Sequence, residues 1–333
     1  MALTGEPVAD CPDASIRRTI MAYRKRHGSG VSPATRITQE IIARLEAGTK
    51  PWIKPWRGVP VSRPLRACGI PYRGMNVFWL WMVADMCGYA SPFWMTYNQA
   101  KSLGAQVRKG EKSTIAIFYK SYNKEVEAPD TGEKTDEARR VLKAYPVFNA
   151  DQVEGLPERF HPAATLELVE PAGREAELDA FFAAIPVNLR HQGCEAYYEP
   201  TADRVTMPPT SLFSGFDHYY ATLAHELSHW TGHATRLGRD LKNRFGTAAY
   251  AAEELVAELS SAMLGAELGL PVTHLDSHAS YIEHWLKLLK HDDRAILTAA
   301  AKAEEAARLL LNLGGRVTPE QFDDVSDDAA LAA

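Results

Sequence analysis

The sequence predicts an α+β protein of two domains, an N-terminal α+β domain and a C-terminal, mostly helical domain with a small sheet. Three observations carry this. A chain of 333 residues suits two domains at about 100 to 200 residues each. Charge is divided unevenly. Residues 14 to 124 hold 19 Lys and Arg against 4 Asp and Glu, a local +15, which leaves −20 for the remainder of a chain whose net charge is −5. Finally, helical and β-rich patterns are interleaved in the first half, whereas long helical patterns dominate the end of the second.

Residues 1–15 are polar, contain Pro12 and lack a period, and are expected to form a flexible tail ahead of a domain spanning 16–155. Ile37, Ile41 and Leu45 recur at helical spacing, so a helix is expected over about 33–47, stopped by Gly48 and Pro51. The stretch YRGMNVFWLWMVADMCGY reads as a buried helix closed by Gly88. SPFWMTYNQAKSLG reads as another, with Thr96 at its start and Gly104 at its end. AQVRKGEKSTIAIFYK is expected to be a hairpin turning at Lys109 to Lys112. An exposed loop is assigned to 121–140, because charge and turn residues replace apolar ones there, and strand character returns in AYPVFNADQV.

A linker is placed at 156–175, where Pro157, Pro162, Pro171 and Gly173 punctuate the chain. The second domain, 176–315, opens with a helix over about 174–185. Short strands follow in VNLRH, EAYYEP and DRVTMP, then four helices reaching Gly314, and an acidic tail closes the chain over 316–333. No apolar run approaches the roughly 20 residues of a membrane helix, and the N-terminus lacks the pattern of a secretory signal, so the expected compartment is the cytoplasm. Cys11, Cys68, Cys87 and Cys194 are scattered without a Cys-x-x-Cys pair, which points to reduced thiols and to neither a disulfide framework nor a thiolate metal site.

The chemistry concentrates in TLAHELSHWTGH, residues 222–233. On a helix, His225 and His229 stack on one face about 5 to 6 Å apart at Cβ, close enough to share one ion. Tyr220, Leu223, Leu227 and Trp230 form an apolar stripe on the opposite side; Asp217 is the expected cap of this helix and Gly232 its end. A hydrolytic zinc site needs a third protein ligand. His233 is set aside, because a ligand after a Gly turn is expected six residues past His229, where Thr235 stands. AEELVAEL, residues 252–259, supplies Glu254 as third ligand, with Glu258 one turn on as acceptor for a ligand histidine. Glu253, rotated by about 100°, is the alternative ligand. Glu226 is then the general base, and Tyr281 or His278 a candidate transition-state donor. The cofactor expected is Zn2+.

The first half holds five of the seven tryptophans, interleaved with cations, the pattern of a single-stranded nucleic-acid surface. Trp79 and Trp81 sit in an apolar helix and are expected in the core. Trp52, Lys54, Trp56 and Arg57 lie between prolines, and Arg73, Arg108, Lys109 and Lys112 flank turns, so these eight are the expected DNA contacts.

These segments resemble the ArdC-type antirestriction proteins of conjugative plasmids. The resemblance is carried by ITQEIIARLEAGTKPWIKPWRG, PYRGMN, PFWMTYNQAKSLGAQVRKGEKST and VFNADQVEGLP in the first half. In the second half it is carried by YYEPTADRVTMPP, YYATLAHELSHWTGHATRLGRD, YAAEELVAELSSAMLGAELG and SYIEHWLKLLKHDDRAI, over about residues 16 to 312. One departure is Leu65-Arg66 ahead of YRG, where the family pattern leads one to expect an asparagine. The resemblance implies an N-terminal single-stranded DNA-binding domain, a C-terminal zincin-type metallopeptidase domain and protection of incoming DNA from restriction. An unidentified protein met on DNA is the expected peptidase substrate. Two alternatives are a non-proteolytic DNA shield with a metal-stabilised second domain, and a protease of DNA–protein crosslinks.

Overall fold

The computed structural model describes residues 31–50, 52, 62–127, 134–161, 173–240, 247–270 and 279–316; the side chains of 119–127, 134–141 and 279–281 fall outside that description. The tail expected at 1–15, all but Arg316 of the tail expected at 316–333, most of the linker, and Lys54, Trp56, Arg57 and His278 lie outside the described residues.

Helix α1, Pro33–Glu46, begins on Ser32, whose hydroxyl accepts the Thr35 amide, and buries Ile37, Ile41 and Leu45 on one face. Strand β1, Leu65–Arg66, leads to helix α2, Met75–Cys87, apolar on almost every side and ended by Gly88 at φ 68°. Strand β2 is Phe93–Met95. Helix α3, Tyr97–Ser102, starts at a reciprocal cap in which Thr96 accepts the Gln99 amide and the Gln99 side chain accepts the Thr96 amide.

Strands β3 (Gln106–Val107), β4 (Thr114–Glu127), β5 (Lys134–Asn149) and β6 (Val153–Glu154) correct the expected hairpin. β3 and β4 do not pair with each other; β3 pairs with β6 and β4 with β5. Turn residues between two β-rich runs do not specify that the runs are partners, and here the RKGEK turn passes the chain from one sheet to another. The loop expected over 121–140 is also corrected in part. β4 and β5 remain in antiparallel register from Thr114 opposite Val147 out to Glu127 opposite Lys134. Strand pairing needs backbone groups only, so a polar composition does not forbid it. The sheet order is β1-β2-β5-β4.

The second half opens with helix α4, Arg174–Ala183, followed by strands β7 (Asn188–His191), β8 (Tyr197–Glu199) and β9 (Arg204–Met207). β9 lies between β7, to which it is parallel, and β8, to which it is antiparallel. Four helices complete it: α5 (Phe216–Thr231), α6 (Ala248–Leu268), α7 (Ala279–His291) and α8 (Ala295–Leu313). Asp217 is not the cap of α5. Gly215 holds that position, and Asp217 meets Arg174 at 2.9 Å.

The two halves share their largest core, besides a cluster of Met95, Val107, Val153 and Phe160 that belongs to the first half alone. One cluster joins Ile37 and Ile41 of α1, Trp79 of α2 and Val147 of β5 to Leu255 and Leu259 of α6, Trp285 of α7 and Ala300 of α8. A second cluster packs α4, β9 and α5 against the far ends of α6 and α8, through Phe181, Met207, Leu227, Leu264 and Leu310. Polar ties cross the same boundary. Arg63 meets Glu267 at 2.7 Å and Glu304 at 2.8 Å, and Glu304 also accepts the Gly74 amide. Lys50 and Trp52 both donate to Glu258, at 3.1 and 3.2 Å. Part of the charge imbalance is therefore neutralised inside the protein.

Trp52 corrects an expectation. It is 1% exposed, edge-on to Trp285 with ring centroids 5.4 Å apart, so it is removed from the DNA-contacting set. Its flanking prolines suggested an exposed loop, but prolines fix only the backbone. Trp52→Ala is expected to lose about 3 to 5 kcal/mol of stability in denaturant titrations, as for a large buried aromatic. A loss under about 1 kcal/mol would mean that the ring faces solvent.

Candidate metal centre

Helix α5 turns Leu223, Leu227 and Trp230 into the second apolar cluster, which leaves His225 and His229 facing α6. Helix α6 starts on Thr247, whose hydroxyl accepts the Tyr250 amide, and anchors itself through Leu255, Leu259 and Met263 in the shared core. Its face toward α5 carries adjacent Glu253 and Glu254. Their side chains differ by about 100° in direction, so they meet different parts of the histidines.

Glu254 lies between the two rings: Oε2 is 3.6 Å from His225 Nε2 and Oε1 is 3.6 Å from His229 Nε2. Among the described residues, His225, His229 and Glu254 are the group of potential ligands whose donor atoms all fall within 4.8 Å of one another. Tetrahedral nitrogen and oxygen ligands about 2.0 to 2.2 Å from an ion stand about 3.3 to 3.6 Å apart. The residues fit a metal ion in both donor chemistry and spacing. Glu226 is buried beside them on α5, one residue from His225 and three from His229.

Glu253 takes the place expected for Glu258. Its Oε1 is 3.3 Å from His229 Nδ1, while Glu258 is turned toward Lys50 and Trp52. The signal that separates the two is helical phase: Glu253 lies on the His229 side of Glu254, and Glu258 sits one turn further toward the first half. Arg239, which the motif reading missed, reaches Glu253 at 2.8 Å. His225 Nδ1 is buried without a hydrogen-bond partner among the described residues. His233 Nδ1 faces the Thr235 hydroxyl at 2.8 Å. The Tyr281 side chain, like His278, lies outside the described residues.

The electrostatics follow from this crowding. Burial works against a charge on His229, but Glu253 and Glu254 on either side outweigh it and raise its pKa from 6.5 to about 10. Burial likewise works against ionised Glu254, and the two histidines outweigh it, holding the carboxyl far below the usual carboxylate range. Glu253 is lowered too, against burial, by His229 and Arg239.

Of the remaining DNA-contact expectations, Arg73, Lys109 and Lys112 are exposed, and exposed Arg108 is paired with Glu111 at 2.9 Å. No helix among the described residues is long and apolar enough to cross a membrane.

A helix bearing His-Glu-x-x-His, facing a glutamate helix and preceded by a small sheet, defines a zincin-like domain. Residues 176–302 match the zincin-like metallopeptidase family, and residues 32–148 match the N-terminal domain of anti-restriction factor ArdC. The chain is 40% identical over 278 residues to the uncharacterized protein y4eC of Sinorhizobium fredii, covering 82% of this chain and 89% of that one. It is 38% identical over 315 residues to the DNA primase TraC of Escherichia coli, covering 89% of this chain but only 29% of the primase. The metal-free crystal structure of the antirestriction ArdC protein from plasmid R388 superimposes with a TM-score of 0.74 at 44% identity, over 86% of this chain and 100% of that chain. An Mn(II)-bound structure of that protein gives 0.70 at 42%, over the same shares of the two chains. The chain belongs to the ArdC family of antirestriction proteins.

In metal-free protein the raised His229 pKa contributes stability that is fully present below about pH 6.5 and is lost as pH rises through about 10. Chelator-treated protein is expected to melt at progressively lower temperature between those limits. His229→Gln should flatten that slope; an unchanged slope in the variant would place the titration elsewhere.

Proposed function

We propose that this ArdC-family protein binds single-stranded DNA through its basic half and hydrolyses peptide bonds at a zinc site made by His225, His229 and Glu254. The observation that carries the reading is the convergence of two imidazole nitrogens and one carboxylate on a common centre, with Glu226 alongside. That donor set suits zinc, and the Mn(II)-bound structure of the R388 relative supports a divalent ion in this chain too. When bound, the ion supplies Lewis-acid activation of water and of the scissile carbonyl. Glu226 accepts a proton from the attacking water at its carboxylate and returns it to the leaving amine. His225 and Glu226 are themselves buried, and removal from water strengthens electrostatic interactions of this kind.

The DNA reading rests on the excess of cations in the first half and on the exposed Arg73, Arg108, Lys109 and Lys112. Phosphate contacts by Lys and Arg give binding that weakens steeply with salt. A DNA-bound protein, whether a restriction component or another protein on the strand, is then the substrate class.

Glu226→Gln is expected to retain one zinc per chain and to lose proteolysis by at least about 100-fold, measured on proteins co-incubated with single-stranded DNA. Undiminished protection of incoming DNA in cells carrying this variant would instead make the second half a metal-stabilised scaffold. Lys109→Glu/Lys112→Glu should weaken binding to a labelled oligonucleotide across sequences and reduce the salt slope by about 1 for each phosphate no longer neutralised. An unaltered slope would move the DNA surface away from this turn.

A further inference from the structure

Arg239 lies 10 residues beyond His229, on the segment that leaves α5, and is almost wholly buried, its side chain 5% exposed. All three nitrogens of its guanidinium have partners. Nε and Nη2 meet the Glu253 carboxylate at 3.0 and 2.8 Å, Nη1 donates to the Thr231 hydroxyl at 2.9 Å, and Nη2 donates to the Ser228 carbonyl at 2.6 Å. One planar group thus ties the last turn of α5 to the first turns of α6. The carboxylate it grips is the one set against His229 Nδ1.

Resting on the metal-site reading above, we propose that Arg239 is the positioning residue of the metal centre: it fixes Glu253 on His229 Nδ1 and so presents His229 Nε2 to the ion. The chemistry is directional. An ionised carboxylate only accepts hydrogen bonds, so Glu253 selects the proton on Nδ1, and Nε2 is the nitrogen left to bind metal. Glu253 is held from two sides, by the histidine on one and the guanidinium on the other. The fork of Arg matches a carboxylate in a plane and fixes its rotation, which the single point charge of a lysine does not. Arg239 at the same time satisfies a carbonyl at the end of α5 and places a positive charge at the negative end of that helix. The helix bearing both histidines therefore ends where the guanidinium holds it.

The test is zinc affinity of the full-length protein, measured by competition with a chromophoric chelator, together with the visible spectrum of the cobalt-substituted protein. Arg239→Met and Glu253→Gln are each expected to weaken zinc binding by about 10- to 100-fold, the range for loss of an outer-shell partner. They should shift the cobalt bands in the same direction. The double variant should be no weaker than the weaker single, because both act through one interaction. Arg239→Lys should recover part of the affinity. If Arg239→Met fails to fold, Glu253→Gln, which keeps the shape of the side chain, carries the test. Zinc affinity within about twofold of the parent in Arg239→Met, or in Glu253→Gln when only that variant folds, overturns the proposal. His225→Ala and Glu254→Ala distinguish the two levels: if they lose zinc while the Arg239 and Glu253 variants keep it, only the positioning role falls. If they too keep it, the metal-site reading falls with it.

Discussion

The arrangement depends on a helix that withdraws three carboxylates from most of the solvent, two of them into full burial. α6 lies between the two apolar clusters, with Leu255 and Leu259 in one and Leu264 and Leu268 in the other. Along this helix Glu253, Glu254 and Glu258 are withdrawn from water. An ion taken into such surroundings costs several kcal/mol unless a partner meets it with good geometry. Each of the three has partners, and they come from different parts of the chain: Arg239 and His229 for Glu253, His225 and His229 for Glu254, Lys50 and Trp52 for Glu258. The demand for neutralisation draws the metal helix, the segment after it and the first half of the protein onto one surface.

The end of α5 is held on two sides. Arg239 binds it to α6, while Arg236, three residues earlier, donates to the Trp230 carbonyl, stacks on the Trp230 ring at 3.8 Å and pairs with Asp203 between β8 and β9. Two guanidiniums in the sequence RLGR place the histidine helix between the sheet and the glutamate helix. A binding site assembled from long side chains needs such support, because misplacement by about 1 Å is enough to lose function.

The legible parts were those governed by local periodicity. α1 appears where Ile37, Ile41 and Leu45 recur, α2 where apolar residues predominate up to Gly88, and α3 where Thr96 and Gln99 can cap each other. His225, His229 and Glu254 could be grouped because i,i+4 spacing and helical phase are properties of sequence. What escaped depended on partners far along the chain. The pairing of β3 with β6 skips over a whole hairpin, and the polar stretch past Ser121 is a strand because its neighbour is one. Trp52 looked exposed, since nothing near it announces Trp285 and Glu258, more than 200 residues away. Glu253 stands where Glu258 was expected because the carboxylate that faces a histidine is decided by how α6 rolls against α5, and Glu258 meets Lys50 and Trp52 instead.

The apolar cluster shared by the two halves has an evolutionary reading. The two family matches meet separate stretches of sequence, yet Ile37, Ile41 and Trp79 from one and Leu255, Leu259 and Trp285 from the other are buried in a single cluster, so a piece carrying one match alone would lose part of the packing around its own apolar residues. Apolar surface uncovered in that way is a site for association with other chains. The two halves are found together in a much longer relative as well: 89% of this chain, drawn from both halves, aligns within 29% of a primase.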